Sequence, residues 1–170
     1  MDDSLDHFLK ELARRGSWIG GGSVAAVSAA LAAALLEKLI ATPVRAQPLR
    51  QRRLACLRLA QRDAEAFARV IQATRKGDPH EVQRALKTST EIPWQVFQHA
   101  QAIQRVGRRT QRSLKPKFRS DLACAMALAR ASGDSARILI RTNLAWLNDA
   151  KHTRMMRRRL QVAVRPRVRS

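Results

Sequence analysis

Aromatic residues are scarce in this chain of 170 residues: tyrosine is absent, and aromatics make up only 4% of the composition. Strict alternation of apolar and polar residues, the pattern of a half-buried strand, is also hard to find. Few aromatic side chains are available to stack on nucleic-acid bases, which argues against sequence-specific readout of RNA or DNA. The commonest residues, Ala, Leu, Arg and Gln, are good helix formers. The composition therefore predicts an all-α protein.

Cysteine and histidine are also too few and too scattered to build a disulfide framework or a metal site. The two cysteines, Cys56 and Cys124, lie in helical apolar patterns and are predicted to be buried free thiols. The four histidines show no pairing at i, i+4 that would indicate zinc. We therefore expect no metal and no tightly bound cofactor.

Acidic residues are outnumbered: 33 Lys and Arg stand against 13 Asp and Glu, giving a net charge of +20. No acid occurs between Ile92 and Ser120, and the last twenty residues contain eight Lys and Arg and no acid. Such a balance favours attraction to polyanions, whether nucleic acid, an anionic membrane or an acidic metabolite, and the basic tail could bind nucleic acid or another polyanion. The alternative is a solvated basic face without a partner.

A long uninterrupted hydrophobic run and a basic leader are both missing. The chain begins MDDSLDHF, which is acidic where a secretory signal is basic. The apolar run after Ser23 meets Glu37 and Lys38 before it reaches the roughly 20 residues that a membrane span needs. We expect a cytoplasmic protein without a membrane span.

The chain is organised around Gly20, Gly21, Gly22 and Ser23, which precede an alanine-rich apolar segment. Glycine permits unusual backbone angles and close approach of a ligand to the backbone. Ser23 is a good N-cap, and the free N–H groups of the helix behind it would face an anion or a carbonyl oxygen. The alternative is a flexible linker in front of a core helix.

Apolar periodicity and breaker residues predict five helices and a basic C-terminal one. We expect Pro43 and Pro48 to form a break, Pro93 to kink or divide the fourth helix, and the segment after Ser120 to be buried all round. The predicted helices cover residues 3–15, 23–41, 49–75, 79–112 and 120–149. The prediction is a single-domain bundle of five to six helices over residues 1–150, with an Arg-rich helix and tail over 151–170.

Five sequence blocks, in this order, carry a family resemblance: GGGSVAAVSAALAAAL, DAEAFARVI, ALKTSTEIPWQV, SDLACAMALA and LIRTNLAWLND. The series resembles the C-terminal family of formiminotransferase-cyclodeaminases, which includes bacterial methenyltetrahydrofolate cyclohydrolases. The resemblance implies an all-helical homodimer acting on a tetrahydrofolate derivative without a metal or redox cofactor. The implied reaction is hydrolysis of 5,10-methenyltetrahydrofolate to 10-formyltetrahydrofolate, or deamination of 5-formiminotetrahydrofolate to the methenyl form. The absence of a formiminotransferase domain from this sequence favours the hydrolase.

The resemblance also implies site residues. Gly20 to Ser23 fall on the glycine turn of the family, Asp63 on the acid of its D-A-x-A-F block, Asp121 on the acid of its S-D block and Asn143 on its N-L block. Two positions depart from the family pattern: Ile19 replaces the usual Pro, and Gln61 replaces a frequent acid. These departures keep a second hypothesis open, a catalytically degenerate scaffold that binds nucleic acid or another polyanion.

The methenyl carbon is cationic, so its hydration needs a held water and a base. Asp63 and Asp121 are the carboxylates expected to converge there from different helices. The plainer interpretations are a surface acid that pairs with Arg62 or Arg69, for Asp63, and a first-turn acid, for Asp121. The cations predicted to bind the glutamate tail of folate are Arg119, Arg141 and Lys87, and the aromatic walls predicted for the pterin are Trp18 and Trp94.

Overall fold

Six α-helices account for most of residues 3–164, the part of the chain that the computed structural model describes. They are α1 (Asp3–Ala13), α2 (Gly21–Leu39), α3 (Pro43–Lys76), α4 (Pro79–Thr110), α5 (Arg119–Trp146) and α6 (Ala150–Val164). Two short 3₁₀ turns, Gln111–Ser113 and Pro116–Phe118, connect α4 to α5. Residues 3–164 contain no strand, and the prediction of an all-α bundle is confirmed.

Helix α2 forms the centre of the bundle and packs against α3, α4 and α5. Most of its alanines are buried, Ala26, Ala29 and Ala33 completely so, and their small side chains let the neighbouring helices approach closely. The Ser132 hydroxyl on α5 donates to the Ala25 carbonyl at 2.7 Å. By length and composition α2 could also cross a membrane, but half of its apolar window is buried inside the bundle. That burial is typical of a core helix.

Helices α3 and α5 run antiparallel to α2. Near its start, Ser23 bonds to the Ala60 carbonyl in the second half of α3, whereas Glu37 near its end pairs with Arg53 in the first half. On α5 the order is likewise reversed, since Ser132 meets Ala25 and an earlier residue of α5 pairs with Lys38. This arrangement decides which residues can share a site.

The expected break between Pro43 and Pro48 does not occur, because α3 already begins at Pro43. Pro43 occupies the first helical turn, where a missing N–H has no consequence. Pro48 lies inside the helix and leaves the Val44 carbonyl without its helical donor. Val44 is 80% exposed, so water can satisfy that carbonyl.

Of the two outcomes expected at Pro93, a kink or a division, the division is wrong, since α4 runs unbroken from Pro79 to Thr110. Pro93 has no N–H to offer the carbonyl of Ser89, four residues earlier. The Asn143 side chain on α5 supplies the missing donor: its Nδ2 donates to that carbonyl at 2.8 Å and lies 3.3 Å from the Ser89 hydroxyl. A tertiary hydrogen bond thus replaces the helical one.

Helix α5 passes through Gly133 without interruption. A Cβ at this glycine would lie 3.6 Å from the Cβ of Ala100, so the small residues allow α4 and α5 to pack closely. The prediction that the segment after Ser120 is buried all round is wrong, because Ala123, Cys124 and Ala127 are exposed. Of the two cysteines only Cys56 is buried, and burial raises the pKa of its thiol to about 12.

Helix α6 belongs to the same core as the rest of the bundle. Met156 is fully buried and Leu160 nearly so, in the cluster that also contains Trp94 and Ile140. Removing residues 151–170 would therefore delete core side chains together with the basic ones. Three arginines of the predicted tail, Arg165, Arg167 and Arg169, lie outside the described residues.

Candidate active site at the glycine-rich end of the bundle

The site is built around the first turn of α2. Gly20 is the N-cap, in extended conformation and without a capping side chain, and the Val24 N–H donates to its carbonyl. The prediction of Ser23 as N-cap is therefore wrong. Ser23 is the third helical residue and is fully buried, where its hydroxyl lies 2.8 Å from the Ala60 carbonyl and 3.2 Å from Oδ2 of Asp63. The serine thereby joins the start of α2 to α3.

The three glycines serve close approach rather than unusual backbone angles. In residues 3–164 only Gly16 and Gly77 have positive φ. A Cβ at Gly22 would collide with the carboxyl group of Asp63, whereas a Cβ at Gly20 would meet no atom within 4 Å. A Cβ at Gly21 would make only an ordinary contact with Leu139, at 3.8 Å. Gly22 thus makes room for the carboxylate, and the other two leave the backbone open to a ligand.

Asp63 is a partly buried carboxyl group whose pKa lies above its ordinary value of 3.8. Desolvation by burial is the largest cause, and hydrogen bonds from the hydroxyl and the backbone amide of Ser23 oppose it. The start of α2 also favours the negative charge through its free N–H groups. The bond to Ser23 replaces the surface pairing with Arg62 or Arg69 that was the plainer interpretation. A partly buried carboxyl group with a raised pKa is a candidate for proton transfer.

Asp121 lies at the opposite end of α2 from Asp63. Its Oδ2 accepts from Nζ of Lys38 at 3.0 Å, and its side chain is 35% exposed. Ser23 and Lys38 are separated by about 22 Å along the helix, at a rise of about 1.5 Å per residue. The expectation that Asp63 and Asp121 converge is therefore wrong within one chain. Arg119 is exposed, two residues from Asp121 and remote from Asp63.

Asn143 and Arg141 lie towards the Asp63 end of the bundle. Leu139, one turn before Asn143, contacts the start of α2 at Gly21. Arg141 is exposed on the same stretch of α5. Asn143 has its amide nitrogen committed to Ser89, so its demonstrated contact is structural. A substrate-binding role for either residue stays a prediction.

A groove of about 260 Å³ opens between α3 and α4 near Asp63. It carries two arginines, Arg69 and Arg84, that sequence reasoning did not select, because no linear motif links residues across the helical hairpin. Ala66, which lines the groove, lies one helical turn after Asp63 on α3. The acid in the groove, Glu81, pairs with Lys76 at 3.5 Å. The lining residues are Ala66, Arg69, Gln72, Glu81, Arg84, Ala85 and Thr88.

Three further candidates from the sequence have definite surroundings. Lys87 pairs with Asp149 at 2.7 Å. The hydrogen bond from the His152 backbone amide, and after it the one from Lys87, lowers the pKa of Asp149 to about 2. Trp94 is buried and stacks on Phe97 with ring centroids 5.7 Å apart, so it belongs to the core. Trp18 is 37% exposed just before the glycines and remains available to a ligand. Within residues 3–164, no group of three or more His, Cys, Asp or Glu side chains could hold a metal ion.

Comparison with known protein families identifies the family to which this chain belongs. The model of the family described as formiminotransferase-cyclodeaminase matches residues 4–162. This chain belongs to the formiminotransferase-cyclodeaminase family. The match covers the glycine turn, Asp63 and nearly all of α6, so the whole bundle is the family domain.

A solved structure supports the assignment. The formiminotetrahydrofolate cyclodeaminase of Thermotoga maritima matches with a TM-score of 0.88 at 25% sequence identity, over 94% of this chain and 87% of that one. No curated protein sequence gives a significant match. Family and structural match together indicate a folate enzyme of the formiminotransferase-cyclodeaminase type.

Proposed function

We propose that this formiminotransferase-cyclodeaminase family member hydrolyses 5,10-methenyltetrahydrofolate to 10-formyltetrahydrofolate, with Asp63 as the proton-transferring residue. The observation that carries the proposal is the Asp63 carboxyl group, held against the start of α2 by Ser23 with a raised pKa. Gly20 and Gly21 leave open backbone beside it. The substrate carbon is already cationic, so the reaction needs no metal or redox cofactor.

In the first step, Asp63 accepts a proton from a water molecule as the water oxygen bonds to the methenyl carbon. The carboxylate also opposes the positive charge of the substrate before the bond forms. The product of this step is a neutral hydroxy adduct that bridges N5 and N10. Burial that excludes bulk water strengthens both effects.

The second step breaks the bond between N5 and the former methenyl carbon, and N5 gains a proton. Asp121 is too far away within the chain to supply it. Asp63 carries the proton it has just taken from water and is therefore the group that returns it. The net change is one water consumed and one proton released to solvent when the hydroxyl of the adduct becomes the formyl carbonyl.

Deamination of 5-formiminotetrahydrofolate uses the same site in a related way. N10 bonds to the formimino carbon and loses its own proton, and the leaving nitrogen gains two protons, the one released by N10 and one from solvent, before it departs as ammonia. One experiment distinguishes the two reactions: the purified protein is supplied separately with each substrate while the methenyl absorbance is followed. A hydrolase makes that absorbance fall from methenyltetrahydrofolate, whereas an enzyme limited to deamination makes it rise from the formimino form only.

We further propose that Arg69 and Arg84 bind the glutamate carboxylates of the substrate. The groove that they line begins one helical turn from Asp63, and its only acid among the lining residues is already paired. Arginine is the side chain best suited to bind a carboxylate, because its guanidinium group can form two parallel hydrogen bonds to the two oxygens. The glutamate tail would then lie along α3 and α4 while the one-carbon unit reaches the glycines.

The substitution R69Q/R84Q is expected to raise KM about tenfold or more, since a hydrogen bond to a charged group contributes about 1.5–3 kcal/mol. kcat should stay within about twofold, because these residues do not touch the reacting carbon. Steady-state kinetics on methenyltetrahydrofolate measures both values. The control is R58Q/R75Q, two exposed arginines of α3 outside the groove. An unchanged KM in R69Q/R84Q would refute this assignment.

We also propose that the protein is a homodimer. Helix α2 keeps an apolar stripe at the surface: Leu31 is 54% and Val24 36% exposed, with Val27 and Leu35 partly exposed at helical spacing. Helix α1 makes at most sparse contact with the other helices in the described range, and its Leu5 and Leu9 are about half exposed. A second copy of the chain would cover these surfaces.

The substitution Leu31→Lys is expected to shift the protein from dimer to monomer, because it places a charge within the stripe. Sedimentation velocity over a range of protein concentrations measures the shift. Val44→Lys is the matched control, since Val44 is 80% exposed and lies outside the stripe. A wild-type chain that sediments as a monomer at all concentrations would overturn the dimer.

A further inference from the structure

A second cavity, of about 500 Å³, lies at the end of the bundle away from Asp63. It is enclosed by the corner between α2 and α3 on one side and by the last turns of α4 and the following connection on the other. Its lining residues are Leu39, Ile40, Ala41, Thr42, Arg45, Val106, Arg109, Thr110, Ser113 and Leu114. Leu39 ends α2 whereas Ser23 begins it, so the cavity is separated from the Asp63 site by about the length of that helix.

The cavity is positively charged without a balancing acid. Arg45 and Arg109 come from different helices, and no Asp or Glu is among the lining residues. The acids at this end of the bundle are already paired: Glu37 with Arg53 at 3.1 Å and Asp121 with Lys38 at 3.0 Å. Arg45 and Arg109, both exposed, place two like charges in the lining of one cavity, an arrangement that favours an anion between them.

The surroundings of the cavity strengthen this field. The whole segment from Ile92 to Ser120 contains no acid, and several of its cations lie within three residues of lining residues along the chain. They include the exposed Arg108, Arg112, Lys115 and Lys117.

We propose that this cavity is a phosphate-binding site, independent of the folate reaction. Arginine binds phosphate through paired N–H groups, and the hydroxyls of Thr42 and Ser113 can donate further hydrogen bonds. The remaining wall is apolar apart from Thr110, whose hydroxyl donates to the Val106 carbonyl, and the volume falls within the range of small-ligand sites, about 300–1,000 Å³. The ligand is therefore a phosphate ester with an apolar or heterocyclic part.

Two sources supply that chemistry, a free nucleotide and the backbone of a nucleic-acid chain. No aromatic residue is among the lining residues, so recognition rests on the phosphate and not on stacked bases. A nucleic-acid chain would contact the neighbouring exposed cations as well as the cavity, so its binding would depend strongly on salt concentration. A free nucleotide would depend chiefly on Arg45 and Arg109.

The test compares wild type with R45Q/R109Q and with the matched control R154Q/R158Q, which removes the same charge from exposed positions of α6. ATP binding is followed by calorimetry, and binding of a labelled 20-nucleotide oligouridine by anisotropy, both at 150 mM NaCl. We expect R45Q/R109Q to weaken at least one ligand by about tenfold or more, and R154Q/R158Q to change it by less than twofold. R45K/R109K keeps the charge but not the paired donors, and should bind less tightly than wild type.

The two ligands identify the source. Saturable binding of ATP, with one site per protein chain, supports the proposal with a free nucleotide as the ligand. Binding of the oligonucleotide but not of ATP supports it with a nucleic-acid backbone as the ligand. Equal weakening in R45Q/R109Q and R154Q/R158Q overturns the proposal, because the attraction would then be diffuse. Absence of binding by both ligands overturns it as well. A circular dichroism melt of each variant confirms that the bundle is folded.

Discussion

Asp63→Asn is expected to lower turnover of methenyltetrahydrofolate by about 10²–10⁴-fold, the usual contribution of a positioned general base. Asparagine keeps the size of the side chain and can still accept the hydrogen bond from Ser23, but it cannot accept a proton from water. The measurement is kcat on saturating substrate, corrected for spontaneous hydrolysis. The exposed acid two residues later provides the control, since Glu65→Gln should keep wild-type turnover.

The same variant should be at least as stable as wild type at pH 7. Burial raises the pKa of Asp63, so the folded protein binds more protons than the unfolded chain between the ordinary pKa of 3.8 and the folded one. Stability contributed by this group therefore falls as pH rises through that window, and the charged form is the disfavoured one at neutral pH. Denaturant unfolding of Asp63→Asn at pH 7 measures this. A large loss of stability would mean that Asp63 is mainly structural.

The pH dependence of wild-type turnover follows from the same shift. As a base, Asp63 acts only when deprotonated, so kcat/KM should rise with pH through its raised pKa and then level off. This rising limb should be missing from the residual activity of Asp63→Asn. A profile that is identical in the two proteins would assign the titration to another group.

Gly22→Ala is expected to remove most activity and to lower the free energy of unfolding by about 1–3 kcal/mol, as overpacking usually does. The added Cβ would collide with the carboxyl group of Asp63 and displace it from the start of α2. Turnover and denaturant unfolding measure the two effects. The neighbouring glycines give matched controls, because Gly20→Ala meets open space and Gly21→Ala only an ordinary contact.

A second substitution tests whether the loss of stability in Gly22→Ala comes from the collision with the Asp63 carboxyl group. In Gly22→Ala with Asp63→Ala, the carboxyl group is gone and the new methyl group has room. Stability should return towards that of Asp63→Ala alone, while activity stays absent. Strictly additive losses of stability would show that the two residues do not interact, which contradicts the geometry of the site.

Local signals explain why much of the fold is predictable from the sequence. Helix formers and the lack of alternation indicate the all-α class, and the turn between α3 and α4 follows from Gly77, Asp78 and Pro79. Gly77 adopts the left-handed conformation at φ 70°, and Asp78 caps α4 by accepting from the N–H groups of His80 and Glu81. Each of these features depends on residues close together in the chain.

The predictions of local structure that were wrong concern positions whose conformation depends on residues distant in the sequence. Pro93 should break a helix by local rules, but Asn143 on another helix supplies the donor that proline lacks. Ser23 should be a cap, but burial against α3 gives its hydroxyl a partner there. Tertiary contacts override propensity in both cases.

In the candidate site too, some residues can be selected from the sequence, whereas others are placed only by the tertiary fold. The glycine turn and Asp63 can be selected from the sequence and lie together in the structure. Asp121 could not be placed, because its position depends on α5 running antiparallel to α2, which puts its first turn at the far end. Arg69 and Arg84 come together only when α3 and α4 fold back on each other.

The most direct test of the account is the rate at which purified protein removes methenyltetrahydrofolate absorbance above the spontaneous rate, for wild type and Asp63→Asn side by side. We predict acceleration by wild type that saturates with substrate, and its near loss in the variant while the fold is kept. Equal rates in the two proteins would contradict the role of Asp63. No acceleration by wild type of either this reaction or formimino deamination would contradict the proposed function itself.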